Sequence, residues 1–309
     1  MNDAYYTKDG DRPELAALAA QVIPPEGFIA DKVMPIVPVA EKTGTIYYAT
    51  VTADATAATS RSAGTGPTAV QISDTAGSFT TVEHSTRGAI TPDEAKTMGS
   101  IEKADEVGAK YAIRNAMIAL ETDICRHILG KAASNNFDAP KCLEDIQTAL
   151  YTVSLYDGKS VLIAATATLK KMVQALIADS AMGPVFSRLI SGASPAIAAT
   201  GMNFAAWRSA LAMFLGVDEV LAGNDKVWNA TDYVGHFAIA KIDDSNDPLS
   251  HKYRPILGKN YMFMPDGKIP YQIETVADRV NLNNLYTCGI WFDSQLLNTG
   301  ALYVFDGVQ

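Results

Sequence analysis

The sequence has little of what marks a reactive protein. Its three cysteines, Cys125, Cys142 and Cys288, are scattered and odd in number. They form no CxxC pair and no disulfide framework, a pattern that fits a reducing cytosol. Lysine and arginine form no cluster, and the net charge is -9 with a pI near 4.9. That balance argues against a sequence-reading nucleic-acid binder, which needs a basic stripe against phosphates. It leaves room for a protein that surrounds nucleic acid without gripping it. No apolar run is long enough to span a bilayer. The opening residues, MNDAYYTKDGDRPELAALAAQ, lack the basic-then-apolar order of a signal peptide.

Catalytic constellations are equally scarce. His84, His127, His236 and His251 lie far apart, without HExxH or HxH spacing, and read as surface or locally satisfied side chains. Asp243, Asp244 and Asp247 resemble a fragment of a calcium loop but lack its central glycine and closing glutamate, so a solvated turn is expected. Gly64 and Gly66 stand in a GTGP stretch that no strand feeds and no GK[ST] follows, which argues against a phosphate cradle. There is no GxSxG elbow. Glu121 and Asp123 are two residues apart on a predicted helix, so they point in different directions and cannot share a proton. Cys125 sits on an apolar helix stripe and belongs to the core, as do Trp207 and Trp228. No catalytic residue, cofactor or metal ligand is assigned.

What the chain does have is core and arms. Of 309 residues, 48% are hydrophobic and 19% charged, enough for roughly two domains. The stretch VIPPEGFIADKVMPIVPVAEKTGTIYYAT, residues 22–50, is mostly apolar yet carries Pro24, Pro25, Pro35 and Pro38. Neither a central strand nor a helix tolerates that many prolines. An extended arm is expected, covered by the rest of the molecule or by a neighbouring copy. Before it, Pro13 opens a short helix over 14–21. After it, residues 52–77 are rich in Ala, Thr, Ser and Gly and cannot form a core. Alternating segments at 46–51 and 79–90 flank them, which predicts a long hairpin with a soft tip.

Thr91-Pro92-Asp93-Glu94 is a strong helix start. A helix is predicted from Ile101 to Leu129, a rod of roughly 40 Å at 1.5 Å per residue. Ile113, Met117, Leu120, Ile124 and Ile128 mark one face; Val107, Tyr111, Ile118 and Cys125 mark a second. Residues 143–222 alternate helix and strand. Beyond Tyr233 strands dominate, at 234–242, 260–263, 271–280, 285–292 and 301–305, with a hairpin turn at 278–284.

This order of parts resembles a tailed-bacteriophage major capsid protein of the HK97-like fold. The residues that carry the resemblance are Pro24, then Phe28-Ile29-Ala30-Asp31-Lys32-Val33-Met34-Pro35-Ile36-Val37-Pro38-Val39, then Lys42-Thr43-Gly44 with Ile46-Tyr47-Tyr48. Arg61-Ser62-Ala63-Gly64 is similar to the Arg-x-x-Gly of the family's extended loop, and 102–129 to its spine helix. The resemblance implies an α+β fold: an N-terminal arm (1–42), an extended loop (43–90), a peripheral domain (91–140 and 243–309) and an axial domain (141–242). It implies a non-enzymatic subunit that self-assembles, as hexamers and pentamers, into an icosahedral virion shell around double-stranded DNA, built in the bacterial host cytoplasm. Scaffolding, portal and decoration proteins are the implied partners, with no membrane and no cofactor. Any scaffold would be a separate or removed segment, and no Lys–Asn crosslinking trio is assigned. The implied subunit contacts are Phe28, Ile29, Val33, Pro35, Val37, Pro38, Tyr47, Tyr48, Arg61 and Gly64. The alternatives are an encapsulin-like shell around enzyme cargo, a metal-dependent hydrolase using Asp243 and His251, and a phage tail or adhesin subunit.

Overall fold

The computed structural model describes residues 6–18, 22–51, 73–131, 135–137, 141–178, 183–184, 204–245, 247–265 and 270–308. The first half of the chain supplies β1 (Gly10–Asp11), α1 (Pro13–Ala16), α2 (Ala30–Val33), β2 (Ile36–Val39), β3 (Thr43–Thr50), β4 (Ser73–Thr80), β5 (Val82–Ile90), α3 (Pro92–Met98), α4 (Ile101–Leu129), β6 (Asn135–Phe137) and α5 (Cys142–Val153). The second half supplies β7 (Lys159–Ala165), α6 (Thr166–Ala178), α7 (Phe204–Leu215), β8 (Glu219–Gly223), α8 (Asp225–Trp228), β9 (Phe237–Ile242), β10 (Gly258–Phe263), β11 (Tyr271–Asp278), β12 (Asn283–Leu296) and β13 (Leu302–Val308).

The long helix has the bounds its sequence predicts. Two caps fix its approach. Thr91 and Glu94 form a reciprocal capping box on α3, and the Ser100 hydroxyl accepts from the Lys103 amide at the start of α4. Between the two helices Gly99 takes φ +89°, a left-handed turn that suits glycine. Ile113, Met117, Leu120, Ile124 and Ile128 are all buried. The second predicted stripe divides: Cys125 is buried, whereas Tyr111 is 58% and Ile118 37% exposed. The helix carries more apolar circumference than the described chain covers.

α4 lies on a six-stranded sheet. Its backbone strand is β12, which pairs with β5 on one edge and with β11 and β10 on the other. Phe292 accordingly faces both Val82 and Met262, and Ile290 faces both Tyr271 and His84. β1 extends the sheet beyond β11, and β2 adds in parallel to β10. Helix and sheet approach closely at Gly108, where a Cβ would stand 2.3 Å from the Tyr286 ring. The Tyr286 hydroxyl donates to Asp105, one turn earlier on the helix, at 2.9 Å. Gly108→Val is therefore expected to lower stability by about 1–3 kcal/mol through overpacking. A denaturant midpoint that does not move would show that helix and strand stand further apart.

A five-stranded sheet runs in the order β6-β13-β9-β7-β8, and its strands β7, β8 and β9 are buried on both faces. Alternation along its strands divides the residues between two cores. Val161, Ile163, Ala238 and Ala240 face the core of α4, while Leu162, Ala164, Phe237 and Ile239 face α5, α6 and α7. This is why these strands read as continuous apolar runs.

Two sequence expectations change here. The resemblance implies a peripheral place for the strand at 301–305 and for residues 135–137, but β13 and β6 belong to the five-stranded sheet, where β13 pairs with both β9 and β6. The alternation at 79–90 predicts one hairpin arm. It breaks at Thr81, whose amide donates to the Lys42 carbonyl at 2.7 Å, and β5 then joins β12 instead.

Candidate assembly interface

The proline-rich arm is held by the chain itself. Glu121, buried within α4, accepts hydrogen bonds from the Ile29 amide at 3.1 Å, the Ala30 amide at 2.8 Å and the Trp228 indole. One carboxylate thus ties the arm, α4 and α8 together. Burial pushes its pKa up to about 7 against the pull of these donors, and Asp31 adds to the rise. Asp123 points elsewhere, toward His127 at 3.6 Å.

Beyond α2 the arm becomes the edge strand β2. The Pro35 and Val39 carbonyls accept from the Asn260 and Met264 amides, so Pro38 and its missing N–H fall on the open edge. Of the residues expected to contact a neighbour, Ile29 (5% exposed), Val33 (0%) and Val37 (5%) are buried in the chain's own cores. Of the two covers that the sequence leaves open, the rest of the molecule supplies this one. Strand pairing with β10 aims alternate arm residues inward. Phe28 and Pro35 are half-buried and Pro38 is exposed.

β3 and β4 form a separate two-stranded ribbon, registered from Thr43 opposite Thr80 to Thr50 opposite Ser73. A lone ribbon is marginal in water, and this one is anchored at its base. The Phe79 ring stacks on Tyr261 with centroids 5.0 Å apart, and Gly44 makes room for it, since a Cβ there would stand 2.6 Å from the ring. The Thr80 amide donates to Asp293, and the Asn298 side chain donates to the Ala49 carbonyl. The Lys42 ammonium lies 4.5 Å from the centre of the Trp291 ring. Along the ribbon Tyr47 is exposed and Tyr48 half-buried. Arg61, Gly64 and most of the biased segment lie outside the described residues.

The acidic loop departs from its expected solvated turn. The Asp243 carboxylate is fully buried and accepts from Lys259 at 2.6 Å, Ser250 at 2.5 Å and the Ser245 amide at 3.0 Å, with Arg254 3.3 Å away. Lys259 is itself 1% exposed. Desolvation raises the Asp243 pKa, but the bonds from Lys259, Ser250 and Ser245 outweigh it and hold the group below the usual carboxylate range. Asp244 and Asp247 stay near the surface, paired with Arg254 and the Tyr253 hydroxyl. One signal pointed to this cluster: a lysine inside the apolar strand GKNYMF.

The histidines have local partners. His84 stacks on Phe292, His236 meets Asp306 at 2.8 Å, and buried His251 faces the Pro248 carbonyl. Cys125 and Cys288 are buried, with thiol pKa values pushed up to about 12 by desolvation. Trp228 is fully buried, as expected, whereas the side chains of Trp207 and Cys142 lie outside the described residues. Among the described residues no group of three or more His, Cys, Asp or Glu could hold a metal ion, and no helix is long and apolar enough to cross a membrane.

No protein-family model matches the chain, and no curated protein matches its sequence. Solved structures match it from end to end. A phage-related protein of Bordetella bronchiseptica superposes with a TM-score of 0.64 at 15% identity, over 97% of this chain and 98% of that one. The capsid of an empty GTA particle gives 0.52 at 10% identity, over 95% and 98%. The SrpI encapsulin of Synechococcus elongatus gives 0.52 at 14% identity, over 94% and 89%. The fold is HK97-like. In HK97-like terms α4 is the spine helix, β3–β4 the extended loop, and the five-stranded sheet with α5, α6 and α7 the core of the axial part.

Proposed function

We propose that the chain is a major capsid protein that assembles with copies of itself into an icosahedral shell enclosing double-stranded DNA. The observation that carries this reading is the end-to-end likeness to shell proteins of HK97-like fold, the GTA capsid among them. Its role is structural rather than catalytic. The arm (1–42) and extended loop (43–90) join subunits. The peripheral part (91–140 and 243–309) and axial part (141–242) form the tile, with β6 and β13 completing the axial sheet. Scaffolding, portal and decoration proteins are further chains of the same particle, which is a virion assembled in the host cytoplasm.

Physical chemistry supports the assignment. A ribbon without a core of its own, carrying an exposed Tyr47, gains stability when a neighbour covers it. Each such contact is weak once rigid-body entropy is subtracted, so misplaced subunits can leave while a closed shell, which repeats the contact, persists. A net charge of -9 keeps the wall from adhering to packed DNA. An encapsulin-like shell is the second reading, because an encapsulin matches the fold as well as the GTA capsid does. Particle contents separate the two. Nuclease-protected double-stranded DNA in particles from the native source is expected; a stoichiometric enzyme cargo without DNA would overturn the viral reading. The hydrolase alternative draws no support from Asp243, whose oxygens are committed to Lys259, Ser250 and Ser245.

A further inference from the structure

A cleft of about 220 Å³ opens where the arm crosses the spine helix beside α8. Pro25, Phe28, Ile118 and Val227 give it apolar walls, and Arg114 and Lys226 line it as well. Both cations are exposed, and neither forms an ion pair among the described residues. Glu121 also borders the cleft, but its carboxylate is buried and engaged by the arm amides and Trp228. Ile118 belongs to the apolar stripe of α4 that the described chain leaves partly uncovered.

We propose that this cleft receives an acidic segment of a second copy of the chain, with an apolar side chain between Phe28, Ile118 and Val227 and carboxylates on Arg114 and Lys226. The proposal rests on the shell reading, which supplies the neighbouring copy. Charge complementarity selects that occupant: the chain carries 34 acidic residues against 25 basic ones, so an approaching copy presents carboxylates more often than cations. The cleft is also formed in advance. Glu121 holds the arm in place, so docking does not have to order it.

The test compares the wild-type chain with R114E/K226E and the neutral R114Q/K226Q. Negative-stain imaging and sedimentation are run across a salt series, with melting temperature as the folding control. Both side chains are exposed, so unchanged melting is expected. The acidic pair is expected to raise the concentration needed for assembly by about tenfold or more, the neutral pair by less, and salt to weaken the wild type most. Equal assembly of all three at every salt concentration would overturn the cleft proposal while leaving the shell reading intact. Absence of wild-type particles would overturn the shell reading instead. Sedimentation would then decide the cleft: salt-sensitive self-association that R114E/K226E abolishes supports it, and a wild type that stays monomeric overturns it.

Discussion

Asp243→Ala is expected to destabilise the chain by about 3–5 kcal/mol, because it leaves the Lys259 ammonium buried without a counter-charge. Lys259 is 1% exposed and the Asp243 side chain 0%, so water cannot take over the lost partner without opening the structure. Ser250 and the Ser245 amide lose their acceptor at the same time. The companion variant D243L/K259M removes both charges and is expected to be far milder, since a buried ion pair often does no better than well-packed apolar residues. Urea unfolding of the two variants checks this. Equal losses would show that the packing of the Asp243 loop, rather than the charge pair, sets the cost. Acid should act in the same direction as D243A. The folded-state pKa of Asp243 lies below 3.8, so its contribution is present at neutral pH and is lost as pH falls below about 4.

Glu121 is expected to give the chain the opposite pH dependence. Its folded-state pKa of about 7 lies above the ordinary 4.5, so the folded state holds the proton more tightly than the unfolded chain. Its contribution to stability is therefore fully present below about pH 4.5 and is lost as pH rises through about 7. At about 1.4 kcal/mol per tenfold change in proton affinity, that gap is worth about 3 kcal/mol. Glu121→Gln has no such titration. The stability difference between wild type and E121Q should therefore shift by about 3 kcal/mol toward the variant between pH 4 and pH 8. A difference that stays constant across that range would show that Glu121 keeps an ordinary pKa, with the arm amides and Trp228 fully compensating its burial. The consequence reaches beyond stability, because the same carboxylate holds the arm against α4 and forms the wall of the cleft.

Much of this architecture was legible in the residues. The bounds of α4 follow from Ser100, Gly130 and a regular apolar stripe, and the α3 cap from Thr91-Pro92-Asp93-Glu94. Such local signals act within one turn of helix, so the sequence displays them directly. Pairing is not local. Nothing near Val82 distinguishes a strand that continues the hairpin from one that joins β12, because both alternate in the same way. β13 likewise carries no mark of the sheet it enters. The seat of the arm is hidden for a related reason. Its prolines exclude a central strand but not an edge strand, and an edge beside β10 exists only once the chain has folded. Spacing shows only that Glu121 cannot pair with Asp123, whereas its partners are backbone amides 91 and 92 residues away and the Trp228 indole, to which side-chain spacing is blind. Of the ten expected contact residues, Ile29, Val33 and Val37 are covered by the chain itself. The exposed Tyr47 and Pro38 keep surface that a neighbour could bury.

The central claim is that this chain closes into a shell with copies of itself. Negative-stain imaging of the purified chain, expressed alone and with its genomic neighbours, tests it most directly. Closed particles of uniform diameter are expected, whereas small soluble monomers under every condition would contradict the account.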